Sequence, residues 1–284
     1  MRVAFATCSA FPPGAPDDQA PARLLGAEFV CWDDPAVDWE AHDRVVLRST
    51  WDYTRRADAF LDWCAAVGPG RLRNPPGLVA FAADKRYLAA LTAPAVETVF
   101  ISPGAAAPPL RGEVVVKPHV SAGARDTGRF SPVAHDQARA LIARIGAGGR
   151  TALVQPYLPA VDAEGETAIV YLGGRMSHVL RKRAVLRGDG IAPVHSGSLR
   201  VAAAMLEPDL VTAATASPAH HALAEAVHAE IADRFGTPVY ARIDLVTGPS
   251  GDPLLLELEV IEPSLYLSTA PGAAQRFADA VAAS

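Results

Sequence analysis

The sequence predicts an α+β fold: an N-terminal α/β unit followed by two α+β subdomains. Three observations carry that expectation. Short apolar strands alternate with helical spacing before about residue 80. A middle section sets strand-like runs around a small glycine-containing loop, residues 121–128. A late pair of runs, Tyr240 to Val246 and Leu254 to Val260, reads as a β-hairpin with chemically opposite faces.

The totals bound the rest. The chain has 284 residues, 50% hydrophobic and 20% charged, enough for a substantial core in two to three units. Its spacing suggests divisions at 1–83, 84–155 and 156–284. The net charge is -5 and no basic run occurs, so nucleic acid is excluded as an expected partner. Cys8, Cys31 and Cys64 are odd in number and share no ligand-like spacing, which fits free thiols in a reducing compartment. The apolar start is too short for a signal peptide, and no stretch reaches transmembrane length. A cytoplasmic protein with no membrane partner is expected.

In chain order, residues 2–7 and Arg44 to Arg48 read as buried strands. Ala57 to Val67 reads as a helix stopped by Gly68-Pro69-Gly70. Ligands of such α/β sheets bind beyond the carboxyl ends of the strands. That places Ser9 and the run Arg48-Ser49-Thr50-Trp51-Asp52-Tyr53 at an expected substrate mouth. Arg48, Ser49, Thr50 and Asp52 are the expected substrate grip at this mouth, Arg48 by bidentate pairing with a carboxylate or an acidic partner. Trp51 and Tyr53 serve either this mouth or the core.

In the middle section, Asp84-Lys85-Arg86-Tyr87-Leu88 reads as helical and Glu113 to Pro118 as a strand. The loop follows, then a helix over Ala138 to Ile145 capped by Gly146, and a strand over Ala152 to Pro159. The last section opens with strands Thr167 to Leu172 and Ser177 to Lys182, joined by Gly173-Gly174. Ser217 and Pro218 start a long helix, with Leu223, Val227 and Ile231 as its inner stripe. The hairpin follows, and a terminal helix begins near Pro271.

The hairpin carries the strongest chemical signal. Arg242 and Asp244 share one strand face, and Glu257 and Glu259 share another. The opposite faces hold Ala241, Ile243 and Leu245, and Leu254, Leu256, Leu258 and Val260, which need a core beneath them. Clustered carboxylates repel unless protons, solvent or a cation intervene. Hard oxygen ligands on two strands suit Mg²⁺. The competing reading is a solvated outer face, on which Lys and Thr would be mixed in; none occurs. Gly123 and Gly128 fit G-x-x-x-x-G, but no Lys-Ser or Lys-Thr follows, so this is not a Walker loop. Its backbone can still cover phosphates, with Lys117 as a nearby point charge. The histidines lack zinc-site spacing. The loop His195-Ser196-Gly197 either touches substrate or is an exposed turn.

These pieces occur in a recognisable order: Lys85, Lys117, the 121–128 loop, Gln155-Pro156-Tyr157-Leu158-Pro159, Glu164-Gly165-Glu166, Arg181-Lys182-Arg183, then Arg242-x-Asp244 and Glu257-x-Glu259. The set resembles the ATP-grasp superfamily, on the side of glutathione synthetase and the ribosomal-protein-modifying ligases, across essentially the whole chain. The resemblance implies two α+β subdomains clasping ATP and Mg²⁺. Lys85 and Lys117 would hold phosphates, with Ser121 and Gly123 in the lid. Gln155, Pro156, Tyr157 and Leu158 would face the adenine, with Asp162 or Glu164 near the ribose. Glu166 and Lys182 would line the pocket, Lys182 and Arg242 being the catalytic pair. Asp244, Glu257 and Glu259 would hold Mg²⁺, with Glu259 standing where many relatives have Asn. Trp32-Asp33-Asp34-Pro35, the 48–53 run, Asn74-Pro75, Asp84-Lys85-Arg86-Tyr87-Leu88, Ser177-His178 and Glu262-Pro263-Ser264 are together similar to a narrower bacterial subgroup. That subgroup includes the cyclo-ligase that closes O-ureido-D-serine to D-cycloserine. The implied reaction is carboxylate–amine ligation through an acyl phosphate. An intermolecular ligase and a phosphotransferase are the alternatives, and the assembly state, a homodimer included, stays open.

Overall fold

A computed structural model describes residues 1–193, Glu207 and residues 209–284. The sequence-predicted site residues His195, Ser196 and Gly197 lie outside the described residues.

Val3–Thr7 forms β1, buried at every position. A strand apolar on both faces must be covered on both faces, as in a parallel sheet. β1 lies between β2 (Glu28–Cys31) and β3 (Arg44–Ser49), with β4 (Leu72–Arg73) outside β3, and all these pairings are parallel. Alternation sorts the side chains. Ala4, Ala6, Val45 and Leu47 pack with Phe60 and Cys64 of helix α2 (Ala57–Val67). Val3, Phe5 and Val46 pack on the other side with Ala22 of α1 (Gln19–Leu25). Helix α3 (Pro76–Ala83) follows β4.

The middle section builds a five-stranded sheet in the order β11-β7-β6-β8-β5. Its strands are β5 (Val99–Ile101), β6 (Val114–Pro118), β7 (Gly128–Phe130), β8 (Ala152–Pro156) and β11 (Gly190–Ile191). Helix α4 (His135–Ala147) covers it with Ala138, Leu141, Ile142 and Ile145, which form a separate core with Val114, Val116 and Phe130. The helix passes the predicted stop at Gly146. Gly148 caps it instead, its N–H bonding the carbonyls of Arg144 and Ile145. A helical glycine costs only about 1 kcal/mol, which the packed face of α4 outweighs. The run 152–159, expected as a strand breaking into a linker, is a strand as far as Pro156, where the paired register with β6 ends.

The third sheet has the order β12-β10-β9-β13-β14 and is antiparallel. Its strands are β9 (Glu166–Leu172), β10 (Arg175–Lys182), β12 (Val211–Ala214), β13 (Tyr240–Thr247) and β14 (Pro253–Glu259). The short α5 (Ala160–Ala163) precedes it. Helix α6 (Pro218–Phe235) starts as predicted: the Ser217 hydroxyl accepts the His220 N–H at 3.3 Å. Leu223, Val227 and Ile231 face Ile169, Ala241 and Ile243. Helix α7 (Ala273–Ala283) packs Phe277 and Val281 on the other face.

Both clusters around this sheet continue into the N-terminal unit, so the first and third sheets share one core. Asn74 sews them together: its amide donates to the carbonyls of Tyr240 and Val260 at 2.8 Å and accepts the Val239 N–H at 2.7 Å. Among the described residues, no helix is long and apolar enough to cross a membrane.

Candidate active site

The β13–β14 register puts Arg242 opposite Glu259 and Asp244 opposite Glu257. One oxygen from each of Asp244, Glu257 and Glu259 lies within 4.8 Å of the others. The register then slips, pairing Leu245 with Leu255 and leaving Leu256 as an extra residue. This corrects the predicted face: Leu255 turns into the core beside Leu258, while Leu256 joins Val96, Leu158 and Val246 in a small apolar cluster.

Cations interleave the acids. The Arg242 guanidinium grips Asp244 at 2.8 and 2.9 Å and reaches Glu259 at 2.7 Å. Lys182 Nζ lies 2.6 Å from Asp244 and 2.8 Å from Glu166. Lys85 Nζ meets Glu257 at 2.9 Å and donates to the Ser121 carbonyl at 2.8 Å. Gly165 makes the Glu166–Lys182 pair possible. Its φ is +75°, and a Cβ there would lie 2.5 Å from the Lys182 carbonyl oxygen.

The electrostatics follow from this weave. Burial would raise Asp244, but Arg242 and Lys182 outweigh it and hold the carboxyl well below its usual range. Burial also opposes ionisation of Glu257, yet Lys85 and Lys117 hold it at about 2. Glu259 goes the other way: burial, with Glu257 and Asp244 alongside, pushes it up to about 7 despite Arg242. Burial lowers the Lys117 ammonium, with Glu257 opposing and Lys85 reinforcing. Among the described residues, Lys117 has no acid within salt-bridge distance and stands ready for an added anion.

Glu166, Glu257 and Glu259 with Lys85, Lys117, Lys182 and Arg242 line a cleft of about 360 Å³, and Asp244 lies fully buried behind them. Gln155, Pro156, Tyr157 and Leu158 reach it from the middle sheet, and Ser121 and Gly123 from the loop. The Gln155 amide is anchored on the Thr98 hydroxyl at 2.9 Å. The loop crosses the cleft, where Arg125 donates to the Trp51 carbonyl at 3.1 Å and to the Thr54 hydroxyl. Asp162 and Glu164 are absent from this lining. Asp162 is held by the Tyr157 hydroxyl at 2.7 Å and by Arg129 at 2.9 Å, and Glu164 by the Thr247 hydroxyl at 2.7 Å. Both border a separate shallow depression, because the α5 turn carries them past the cleft edge. This corrects the ribose assignment.

The predicted substrate grip is corrected too. Arg48 is 2% exposed and points away from the cleft. It pairs with Asp18 at 2.8 Å, donates to the Pro263 carbonyl at 2.9 Å, and lies over the rings of Tyr240 and Phe277. Ser49 bonds the Ala15 N–H and Asp18, and Thr50 is wholly buried. Asp52 accepts the Trp32 indole N–H at 2.9 Å and pairs with Arg56. Ser9 is exposed and bonds Asp33. The cause is the covered parallel sheet: side chains at the end of β3 stay between layers. Trp51 and Tyr53, in the turn beyond, reach the cleft.

Sequence reasoning gave no role to Arg125, Glu262, Ser264 and Tyr266, which also line the cleft. The available signal was the Glu262-Pro263-Ser264 run just after β14. The end of β3 positions it: the Trp51 indole donates to the Glu262 carbonyl at 3.1 Å, as Arg48 does to Pro263.

Comparison with known proteins agrees with this architecture. Residues 3–74 match the family described as the N-terminal domain of D-cycloserine synthetase DcsG. The chain is 36% identical over 279 residues to the cycloserine biosynthesis protein DcsG of Streptomyces lavendulae, covering 92% of this chain and 90% of that protein. It superposes on the crystal structure of D-cycloserine synthetase DcsG with a TM-score of 0.85 at 34% identity, covering 100% and 99% of the two chains. A RimK-domain ATP-grasp protein from Sphaerobacter thermophilus gives a TM-score of 0.64 at 17% identity, covering 99% and 100%. A D-alanine–D-alanine ligase from Bacillus anthracis, complexed with ATP, gives 0.62 at 12%, covering 100% and 96%. These last two share the fold.

Proposed function

The chain belongs to the D-cycloserine synthetase family, ATP-dependent ligases of the ATP-grasp fold, and on that premise we propose that it closes a small amino-acid-type substrate on itself, O-ureido-D-serine to D-cycloserine. One observation carries the reading. A single cleft gathers Glu257, Glu259 and Glu166, with Asp244 buried against them, and Arg242, Lys182, Lys85 and Lys117, under a loop latched to the N-terminal unit. That is a site built for phosphoryl transfer next to an organic substrate.

The carboxylate oxygens of Asp244, Glu257 and Glu259 form a hard donor set compact enough for Mg²⁺. Bound there, Mg²⁺ would supply charge neutralisation at the ATP phosphates. Lys85 and Lys117 grip those phosphates. The Ser121–Gly123 backbone covers them and excludes water. Val96, Leu158, Val246 and Leu256 sandwich the base, with the Gln155–Leu158 backbone at its edge. The substrate carboxylate attacks the γ-phosphorus, giving an acyl phosphate and ADP. Arg242 stabilises charge on the transferred group, and Lys182, fixed by Glu166 and Asp244, holds its position. The oxygen-bound ureido nitrogen of the same molecule then attacks the acyl carbon and phosphate leaves, and one water releases the carbamoyl group as carbon dioxide and ammonia. Holding both ends in one chamber raises the effective concentration of the nucleophile. Function divides with the chain: 1–83 on the substrate side, 84–155 carrying the loop, 156–284 carrying the metal hairpin. Its need for ATP fits a cytoplasmic setting.

ADP release screened against D- and L-amino acids, O-ureido-D-serine among them, tests this. D-cycloserine in the product, and a hydroxamate when hydroxylamine is added, are expected. A condensed two-substrate product points to an intermolecular ligase. A stable phosphorylated product would overturn the acyl-phosphate reading in favour of a phosphotransferase.

A further inference from the structure

We propose that Glu262 is the specificity residue that receives the α-ammonium of the substrate. This deepens the function proposed above and rests on it.

Every other acid of the cleft already has a cation. Asp244 has Arg242 and Lys182, Glu257 has Lys85, Glu259 has Arg242, and Glu166 has Lys182. Glu262 lines the same cleft and is 9% exposed. Among the described residues, no Lys, Arg or His lies within salt-bridge distance of its carboxylate. The nearby Arg125 is committed elsewhere, to Trp51, Thr54 and Ala122. A buried carboxylate without a counter-ion is costly, and burial together with Glu259 pushes Glu262 up to about 7. An arriving cation relieves that cost.

The position of Glu262 is also built. Trp51 holds its carbonyl and Arg48 holds that of Pro263, so two bonds from the end of β3 fix the peptide behind it. This explains how the buried 48–53 run bears on substrate without touching it. Tyr53 and Trp51 line the same cleft, Trp51 beside Glu262 through the bond to its carbonyl. The amino-acid substrate has one cationic group, its α-ammonium. Its carboxylate must face Lys117 and Arg242 for phosphorylation. The ammonium then falls to the one acid left without a partner. Lys117 and Glu262 are thus complementary vacancies in charge, one for the phosphate and one for the ammonium.

The test uses the full chain, with E262Q and E262D, and reads ADP release. The probes are O-ureido-D-serine and its counterpart lacking the amino group. The expected result for E262Q is a KM for O-ureido-D-serine raised about 10- to 100-fold, the range for losing a hydrogen bond to a charged group. KM for ATP and the Mg²⁺ requirement stay unchanged, and E262D recovers part of the loss. The wild type prefers the ammonium-bearing probe, and E262Q loses that preference. An equal loss on both probes, or a shift in the ATP or Mg²⁺ dependence instead, overturns the proposal. A melting temperature of E262Q at or above that of the wild type excludes misfolding as the cause. If the wild type turns over a different amino acid and E262Q weakens it in the same way, the specific substrate falls and the role of Glu262 stands. Turnover confined to acids lacking an ammonium overturns the role of Glu262 while leaving the ligase.

Discussion

Arg48 and Arg242 are both buried arginines, one on the penultimate and one on the third residue of a strand, and each meets an aspartate at 2.8 Å. Their surroundings differ. The Arg48–Asp18 pair is closed off by the Pro263 carbonyl, the Ser49 hydroxyl and two aromatic rings. The Arg242–Asp244 pair shares its aspartate with Lys182, touches Glu259 and opens on the cleft. The first can only hold the fold. The second has charge balanced against neighbours that a ligand can displace. The lesson is that an Arg–Asp pair becomes chemistry through the space beside it.

The largest expected effect lies on the open side. Glu257→Gln removes one of the three clustered carboxylates and frees Lys85, and should lower ADP release about 100- to 1,000-fold, as for removal of one electrostatic contributor in an active site. Its melting temperature should move little, because Glu257 borders the cleft. Steady-state kinetics and thermal unfolding read both.

The closed side should invert that pattern. Arg48→Met leaves Asp18 buried without its cation, at a cost of about 3–5 kcal/mol. Denaturant unfolding measures it. Activity per folded molecule should fall less than in Glu257→Gln. Adding Asp18→Leu should recover most of the stability, since an apolar pair of similar volume replaces the ion pair. Equal losses of stability and activity in both regions would erase the contrast.

pH sharpens it further. Glu262 has a folded pKa raised to about 7 by burial and Glu259. Below the ordinary carboxylate pKa both folded and unfolded forms hold that proton. As pH rises toward 7 the unfolded chain releases it first, so the stability it contributes is lost through that window. Thermal midpoints of the ligand-free wild type, compared with E262Q, should therefore decline relative to the variant between about pH 5 and pH 8. A constant difference would contradict the charge assigned to Glu262.

The smallest effect belongs to a third pair, Arg129–Asp162, whose aspartate is 47% exposed. Asp162→Ala should change stability by about 0–1 kcal/mol, typical of exposed ion pairs. KM for ATP should stay within about twofold, which a ribose contact would not allow.

Much of the fold was legible. The buried strands β1 and β3, the Ser217-Pro218 helix start and the Gly173-Gly174 hairpin are local signals, and each appears where the sequence sets it. Short strands were missed: β2, β4, β5, β11 and β12 are too brief to show a period, and pairing partners define them. In the site, Arg242, Asp244, Glu257 and Glu259 could be grouped because alternation along two strands is a property of the backbone. The bulge at Leu256 and the inward turn of Arg48 could not, because they depend on cross-strand register and on the layers above and below.

By itself, then, the sequence determined which residues alternate, which face of the hairpin is acidic, and the order in which the charged groups appear. Tertiary structure decided which of those charges meet one another and which meet a cleft. Local periodicity is written in neighbours along the chain. Burial and counter-ion choice come from segments far apart in the chain, as when Lys85 meets Glu257, Arg48 reaches the Pro263 carbonyl and Trp51 reaches that of Glu262.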